Sequence, residues 1–277
     1  LWPVSLVLVV ALALAALALA LAPQGRIRED SYRSHALGGQ LPFAVYLPPG
    51  YDPSSSRRYP VVYFLHGLPA SPYAYRGIGF IASALDALHR PAIVVAPRGA
   101  RDGDSDPEYL DWGPGRNWET AIATELPRYV DAHYRTIRSR LGRALVGISA
   151  GGYGAVTLAF NHLDDFSVVE SWSGYFKPTN PAGTSVLPHT PDQSAHSLIA
   201  TLRADERRRP TFFAFYVGSG DTRFRAENVQ LDRELRMAGV PHVFRIYPGA
   251  HEYSVWQVHA RAWLALAFEH LARPTSG

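Results

Sequence analysis

Apolar residues follow one another along this chain in two rhythms. Short runs in which nearly every position is apolar alternate with longer stretches in which apolar residues recur every three or four positions. The runs include PVVYFLHG (Pro60–Gly67), AIVVAP (Ala92–Pro97) and RALVGIS, which ends at Ser149. A continuous run of that length, closed by glycine or proline, suits a strand buried on both faces. FSVVESWSG, TFFAFYVGSGD and HVFRIYPGAH continue the series. LPFAVYLPPGY (Leu41–Tyr51) alternates and then halts at Pro48 and Pro49, so it predicts an outer strand. Helical spacing falls between these runs. It appears at Ile78–His89, at Ile122, Leu126, Tyr129, Val130 and His133, over Gly151–His162, around Glu227–Met237, and from Val255 to Leu271. Strand and helix in repeated alternation predict an α/β fold with a mostly parallel, doubly wound sheet. In such sheets ligands bind beyond the carboxyl ends of the strands, and that is where chemistry is sought.

One strand runs directly into glycines. Gly147-Ile148-Ser149-Ala150-Gly151 has the pattern G-x-S-x-G, with a buried strand before it and a helix after it. That setting is the sharp strand–turn–helix elbow that lifts a serine hydroxyl clear of the sheet. A hydroxyl is a weak nucleophile and needs a base, which in turn needs an orienting acid. His251, in YPGAHEY, follows a predicted strand; His242 begins one, and His259 and His270 lie within the last predicted helix. Asp221 follows FYVGSG at another strand end, a better placement than Asp192, Asp205 or Glu170. An attacked carbonyl also needs two aligned N–H donors for its oxygen. The elbow supplies that of Ala150, and the loop after PVVYFLHG supplies that of Leu68; His66 is expected to hold this loop by hydrogen bonds. Trp112, Trp118, Tyr175 and Trp256 are candidates to line a substrate cleft. The segment Gly174–Ser197 is short, polar and proline-rich, which predicts no large helical cap and a fairly open cleft.

Composition narrows the alternatives. The 277 residues are 47% hydrophobic and 18% charged, enough to build a sizeable core. The net charge is +3, Lys177 is the single lysine, and the arginines are scattered, so no nucleic-acid partner is expected. Without cysteine there is no disulfide, thiolate nucleophile or cysteine-ligated zinc. Asp102-Gly-Asp-Ser-Asp106 begins like a calcium loop but has Pro107 where glycine belongs and Gly113 where glutamate belongs, so no metal is expected there. Leu1–Gln24 carries no charge. It is long enough to span a bilayer as an anchor, and Ala20 and Ala22 also offer the small-x-small pattern of a cleaved signal. Either reading places a single catalytic domain, residues 26–277, outside the cytoplasm.

Taken together these stretches resemble the esterase family that includes S-formylglutathione hydrolase (esterase D), the mycolyltransferases, and feruloyl and enterochelin esterases. VYLPPGYDPSSSRRYPVVYFLHG is similar to its opening, NWETAIATELPRYVDAHYRT to its helix carrying Glu125, and GISAGGYGA to its nucleophile turn. GSGDTRFRAENVQLDRELRMAGVPHVFRIYPGAHEYSVW is similar to its acid-to-histidine segment. The resemblance covers Leu41–Leu271. It implies an α/β-hydrolase fold without a large cap, Ser149 as nucleophile, Asp221 as acid, His251 as base, Leu68 and Ala150 at the oxyanion hole, and no cofactor. Two positions depart from the pattern: Ala150 stands where a larger residue often follows the serine, and Asp221 where mycolyl-transferring members favour glutamate. The expected activity is hydrolysis of small carboxylic esters through an acyl-enzyme. An acyltransferase passing the acyl group to a sugar or other alcohol is the alternative, and the intact Ser149, Asp221 and His251 set argues against a binding module that has lost catalysis.

Overall fold

A computed structural model describes residues 24–100, 108–179, 194–206 and 208–276. Among them eight strands form one sheet: β1 (Arg26–Ser34), β2 (Gly39–Leu47), β3 (Val61–Leu65), β4 (Ile93–Pro97), β5 (Arg143–Ile148), β6 (Val168–Trp172), β7 (Phe212–Gly218) and β8 (Val243–Tyr247). Their order is β1-β2-β4-β3-β5-β6-β7-β8. The β1–β2 hairpin and the β2–β4 pair are antiparallel, and every other pair is parallel. Among the described residues six α-helices flank the sheet: α1 (Gly79–Leu88), α2 (Leu126–His133), α3 (Ala150–Asn161), α4 (Ala195–Glu206), α5 (Arg225–Ala238) and α6 (Tyr253–His270).

The continuous apolar runs follow from this layering. Successive side chains of a strand leave opposite faces, and both faces here are covered. Val61, Tyr63 and Leu65 of β3 point into one core, with Leu145 of β5 and the inner faces of α2, α3 and α5. Val62 and Phe64, with Ala144, Val146 and Ile148, point into the other, filled by α1 and α6. No separate cap domain stands over the sheet among the described residues.

Three elements differ from the sequence expectation. β1, RIREDSYRS, is mostly exposed and has no apolar run; it forms because its backbone pairs in register with β2, Arg26 opposite Leu47 through Ser34 opposite Gly39. Glu125 pins this hairpin, accepting from the Ser34 hydroxyl and the Ala36 N–H. The helix expected from Ile122 opens with a π-helical turn, Thr120–Glu125, before α2. Pro127 is the physical cause: it has no N–H to donate into a regular turn, and the Leu126 N–H reaches back to the Ala121 carbonyl instead. α4 was not anticipated, because its apolar residues are few and only Ala195 and Leu202 are buried. Asp102–Asp106, Asp192 and most of Gly174–Ser197 lie outside the described residues, as does the apolar segment expected to be an anchor or signal. Among the described residues no helix is long and apolar enough to cross a membrane.

Candidate active site

Parallel register brings the strand ends to one rim. Leu65 of β3 lies beside Gly147 of β5, Ile148 beside Trp172 of β6, and Gly218 of β7 beside Tyr247 of β8. Four residues beyond these ends matter most: Leu68, Ser149, Asp221 and His251.

Ser149 sits between β5 and α3 with φ 53° and ψ −122°. A side chain rarely adopts that conformation, and holding it costs about 1–3 kcal/mol. The surroundings impose it. The Ser149 N–H donates to the Trp172 carbonyl at 2.9 Å, and the Ser149 carbonyl accepts from the Gly152 N–H at 2.8 Å. The turn is so tight that a Cβ on Gly147 would lie 2.0 Å from the Gly151 carbonyl oxygen, and one on Gly151 would lie 2.1 Å from that of Leu65. Both contacts are with backbone, which cannot swing aside. The two glycines of the motif are therefore a requirement of the geometry.

The Ser149 hydroxyl lies 2.9 Å from His251 Nε2, and His251 Nδ1 lies 2.8 Å from Asp221 Oδ2. A carboxylate only accepts, so Nδ1 carries the imidazole proton and Nε2 presents its lone pair to the serine. Asp221 is 1% exposed. Burial pushes its carboxyl up, but the His251 hydrogen bond and charge outweigh it, aided by N–H donors from Phe224 and Arg223; the carboxyl is held below its usual range. Two rings pack edge-to-face with the imidazole, Phe224 and Trp256, each 5.2 Å away, centroid to centroid. The Trp256 Nε1–H in turn donates to Ser173 Oγ at 2.9 Å. Neither Phe224 nor Ser173 was singled out from sequence: Phe224 touches His251 and Ser173 holds Trp256, and no motif marks such contacts.

Leu68 follows a braced loop. The His66 Nδ1–H donates to the Gly67 carbonyl at 2.8 Å, and its Nε2 accepts the Gly99 N–H at 3.0 Å. Burial lowers the His66 pKa, so the ring is neutral and its role is to hold the loop. Gly67 lies against the serine, since a Cβ there would be 3.3 Å from Ser149 Cβ. The N–H groups of Leu68 and Ala150 have no acceptor among the described residues.

A cleft of about 550 Å³ opens over Ser149 and His251, walled by Phe64, Leu68, Phe80, Tyr253 and Trp256. Of the four aromatic residues expected to line it, Trp256 does. Trp118 is 2% exposed and Tyr175 is fully buried, so neither can touch a substrate from where it stands. Tyr175 is stacked between Tyr153 and Phe224, and its hydroxyl donates to the Glu108 carboxylate. Trp112 is half-buried against the same core, away from the cleft wall. The competing acid Glu170 is also placed elsewhere: it is sealed in the sheet, where Trp172 Nε1–H and the Tyr216 hydroxyl donate to it. No group of three or more potential metal ligands occurs among the described residues.

Fold and strand-end elbow together define an α/β hydrolase. The family model described as "Putative esterase" matches residues 34–263, and the chain belongs to that family. An esterase of Mycobacterium tuberculosis is 27% identical over 252 residues, covering 80% of this chain and 55% of the relative. The chain thus spans about half the length of that relative. The diacylglycerol acyltransferase/mycolyltransferase Ag85A of Mycobacterium leprae is 33% identical over 138 residues, 46% of this chain and 40% of its own. Among solved structures, a ferulic acid esterase superposes with a TM-score of 0.76 at 25% identity, covering 90% of this chain and all of that one.

Proposed function

We propose that the protein is a serine esterase that hydrolyses carboxylic esters through Ser149, His251 and Asp221. The observation that carries this reading is the unbroken relay of 2.9 and 2.8 Å from hydroxyl to imidazole to buried carboxylate. As Ser149 Oγ bonds to the ester carbonyl carbon, His251 Nε2 takes its proton, and Asp221 stabilises the resulting imidazolium. The carbonyl oxygen, now carrying the electron pair, is received by the N–H groups of Leu68 and Ala150; each such donor is worth about 2.7–4 kcal/mol. Collapse of the tetrahedral intermediate expels the alcohol, which takes the proton from His251. Water then repeats the sequence on the acyl-enzyme, and the acid leaves. The chain's own groups supply nucleophile, base and oxyanion donors.

Ser149→Ala should abolish turnover of short 4-nitrophenyl esters while leaving the fold intact by circular dichroism. Wild-type turnover in that variant would overturn the proposal. The stretch shared with the Mycobacterium leprae acyltransferase favours one further reading, in which an alcohol replaces water in the second half-reaction. Product analysis with and without a sugar acceptor separates the two: a new sugar ester would signal transfer, and free acid alone hydrolysis.

A further inference from the structure

Among the described residues that line the cleft, Arg223 is the one charged side chain besides His251. Arg223 lies on its rim, two residues beyond Asp221, and lines the same space as Ser149 and His251. Its guanidinium carbon sits 5.3 Å from the centroid of the Phe224 ring, and that ring packs edge-on against His251. The guanidinium is therefore stacked one ring away from the catalytic imidazole. It is exposed, and it makes no ion pair or hydrogen bond with another side chain among the described residues. Arg76, next to the cleft residue Gly77, is by contrast engaged with Glu29.

The remaining wall cannot answer a polar ligand well. Phe64, Phe80 and Leu68 are apolar, the Trp256 N–H is already given to Ser173, and both nitrogens of His66 are committed to Gly67 and Gly99. Beyond the Tyr253 hydroxyl and the backbone N–H groups of Leu68 and Ala150, Arg223 is the side-chain donor left for a substrate among the described residues. A guanidinium offers five N–H groups in a planar fork that matches a carboxylate. No aspartate or glutamate lines the cleft among the described residues, so nothing there competes for it.

We propose that Arg223 selects esters bearing an anionic group, with a carboxylate as the simplest case, held at the rim while the ester carbonyl lies over Ser149. This rests on the esterase reading and adds a substrate class to it. The stem of Arg223 leaves the chain beside Asp221, whose contacts with the Arg223 and Phe224 N–H groups are made by backbone. Replacing the side chain therefore leaves the orientation of the triad acid in place.

The test compares matched ester pairs that differ in one charge. On the alcohol side these are 4-acetoxybenzoate and its methyl ester; on the acyl side, the mono-4-nitrophenyl ester of adipic acid and 4-nitrophenyl hexanoate. The readout is the ratio of kcat/KM for anionic over neutral ester, in wild type, R223K and R223Q. In R223Q the ratio should fall about three- to tenfold for at least one pair, the range for an ion pair at a partly exposed rim. R223K should retain part of it, as a point charge without the fork, and 0.5 M NaCl should compress the wild-type ratio toward that of R223Q. Unchanged ratios for both pairs in R223Q, with the esters still turned over, would overturn the assignment of Arg223 and leave the esterase reading standing. Failure of folded wild type to hydrolyse any of the four would instead overturn the esterase reading, and the substrate class with it.

Discussion

Asp221→Asn offers the sharpest quantitative prediction. In the native structure one carboxylate oxygen, Oδ1, accepts two backbone N–H groups, from Arg223 and Phe224, each at 3.1 Å. The other, Oδ2, accepts the His251 Nδ1–H at 2.8 Å. Asparagine has one acceptor and one donor end. Turning its NH₂ toward the backbone would set it against two N–H groups; turning it toward the imidazole sets it against one. The first arrangement leaves more buried donors unpaired, so the amide oxygen stays with the backbone and the NH₂ faces His251. The imidazole answers by moving its proton to Nε2, where it points at Ser149 Oγ 2.9 Å away. A ring that donates to the serine cannot take its proton. Loss of the correct tautomer costs about 10⁴-fold in kcat, or about 5.5 kcal/mol. Stability should change far less, because the backbone contacts survive; about 1.5–3 kcal/mol covers the lost charged hydrogen bond. The assay is kcat on 4-nitrophenyl acetate, with urea unfolding alongside to show that the variant is folded. A folded D221N enzyme within tenfold of wild type would refute the tautomer argument.

Other outcomes follow from the same structure. Gly147→Ala places a Cβ 2.0 Å from the Gly151 carbonyl oxygen, so it should destabilise by about 3 kcal/mol or more in chemical denaturation and abolish activity together. Trp118→Ala should cost about 3–5 kcal/mol of stability, since the ring is 2% exposed in the core; an effect on KM alone would contradict its placement. Burial raises the Glu170 carboxyl to about 8 against the hydrogen bonds that oppose it. The folded state therefore holds a proton there that the unfolded chain releases near its ordinary value of 4.5, so this contribution is complete below that pH and is lost as pH rises toward about 8. Glu170→Gln should raise Tm more at pH 8 than at pH 5; an equal shift at both would contradict it.

Much of this was legible in the linear pattern, and the reasons are local. Strands buried on both faces leave continuous apolar runs, so β3, β4 and β5 stand out, and chemistry at strand ends places Ser149, Asp221 and His251 by position alone. β1 did not show because its stability comes from pairing with β2 and from Glu125, far along the chain. The cleft aromatics were legible only in part. Trp118, Tyr175 and Trp256 all follow or precede glycine- or proline-bearing turns, and nothing in composition says which ring turns inward. Trp256 faces the cleft because it sits on the first turn of α6, just after His251, whereas Tyr175 is drawn into the core between Tyr153 and Phe224. Phe224 escaped notice for the same reason: its role is a contact with His251, and contacts are written in space.

The central claim is that Ser149 is a nucleophile activated by His251. It is tested most directly by treating the protein with a fluorophosphonate probe and mapping the adduct by peptide mass spectrometry. A single adduct on the peptide carrying Ser149, lost in S149A and strongly slowed in His251→Gln, is the predicted result. Labelling at another residue, or equal labelling of S149A, would contradict it.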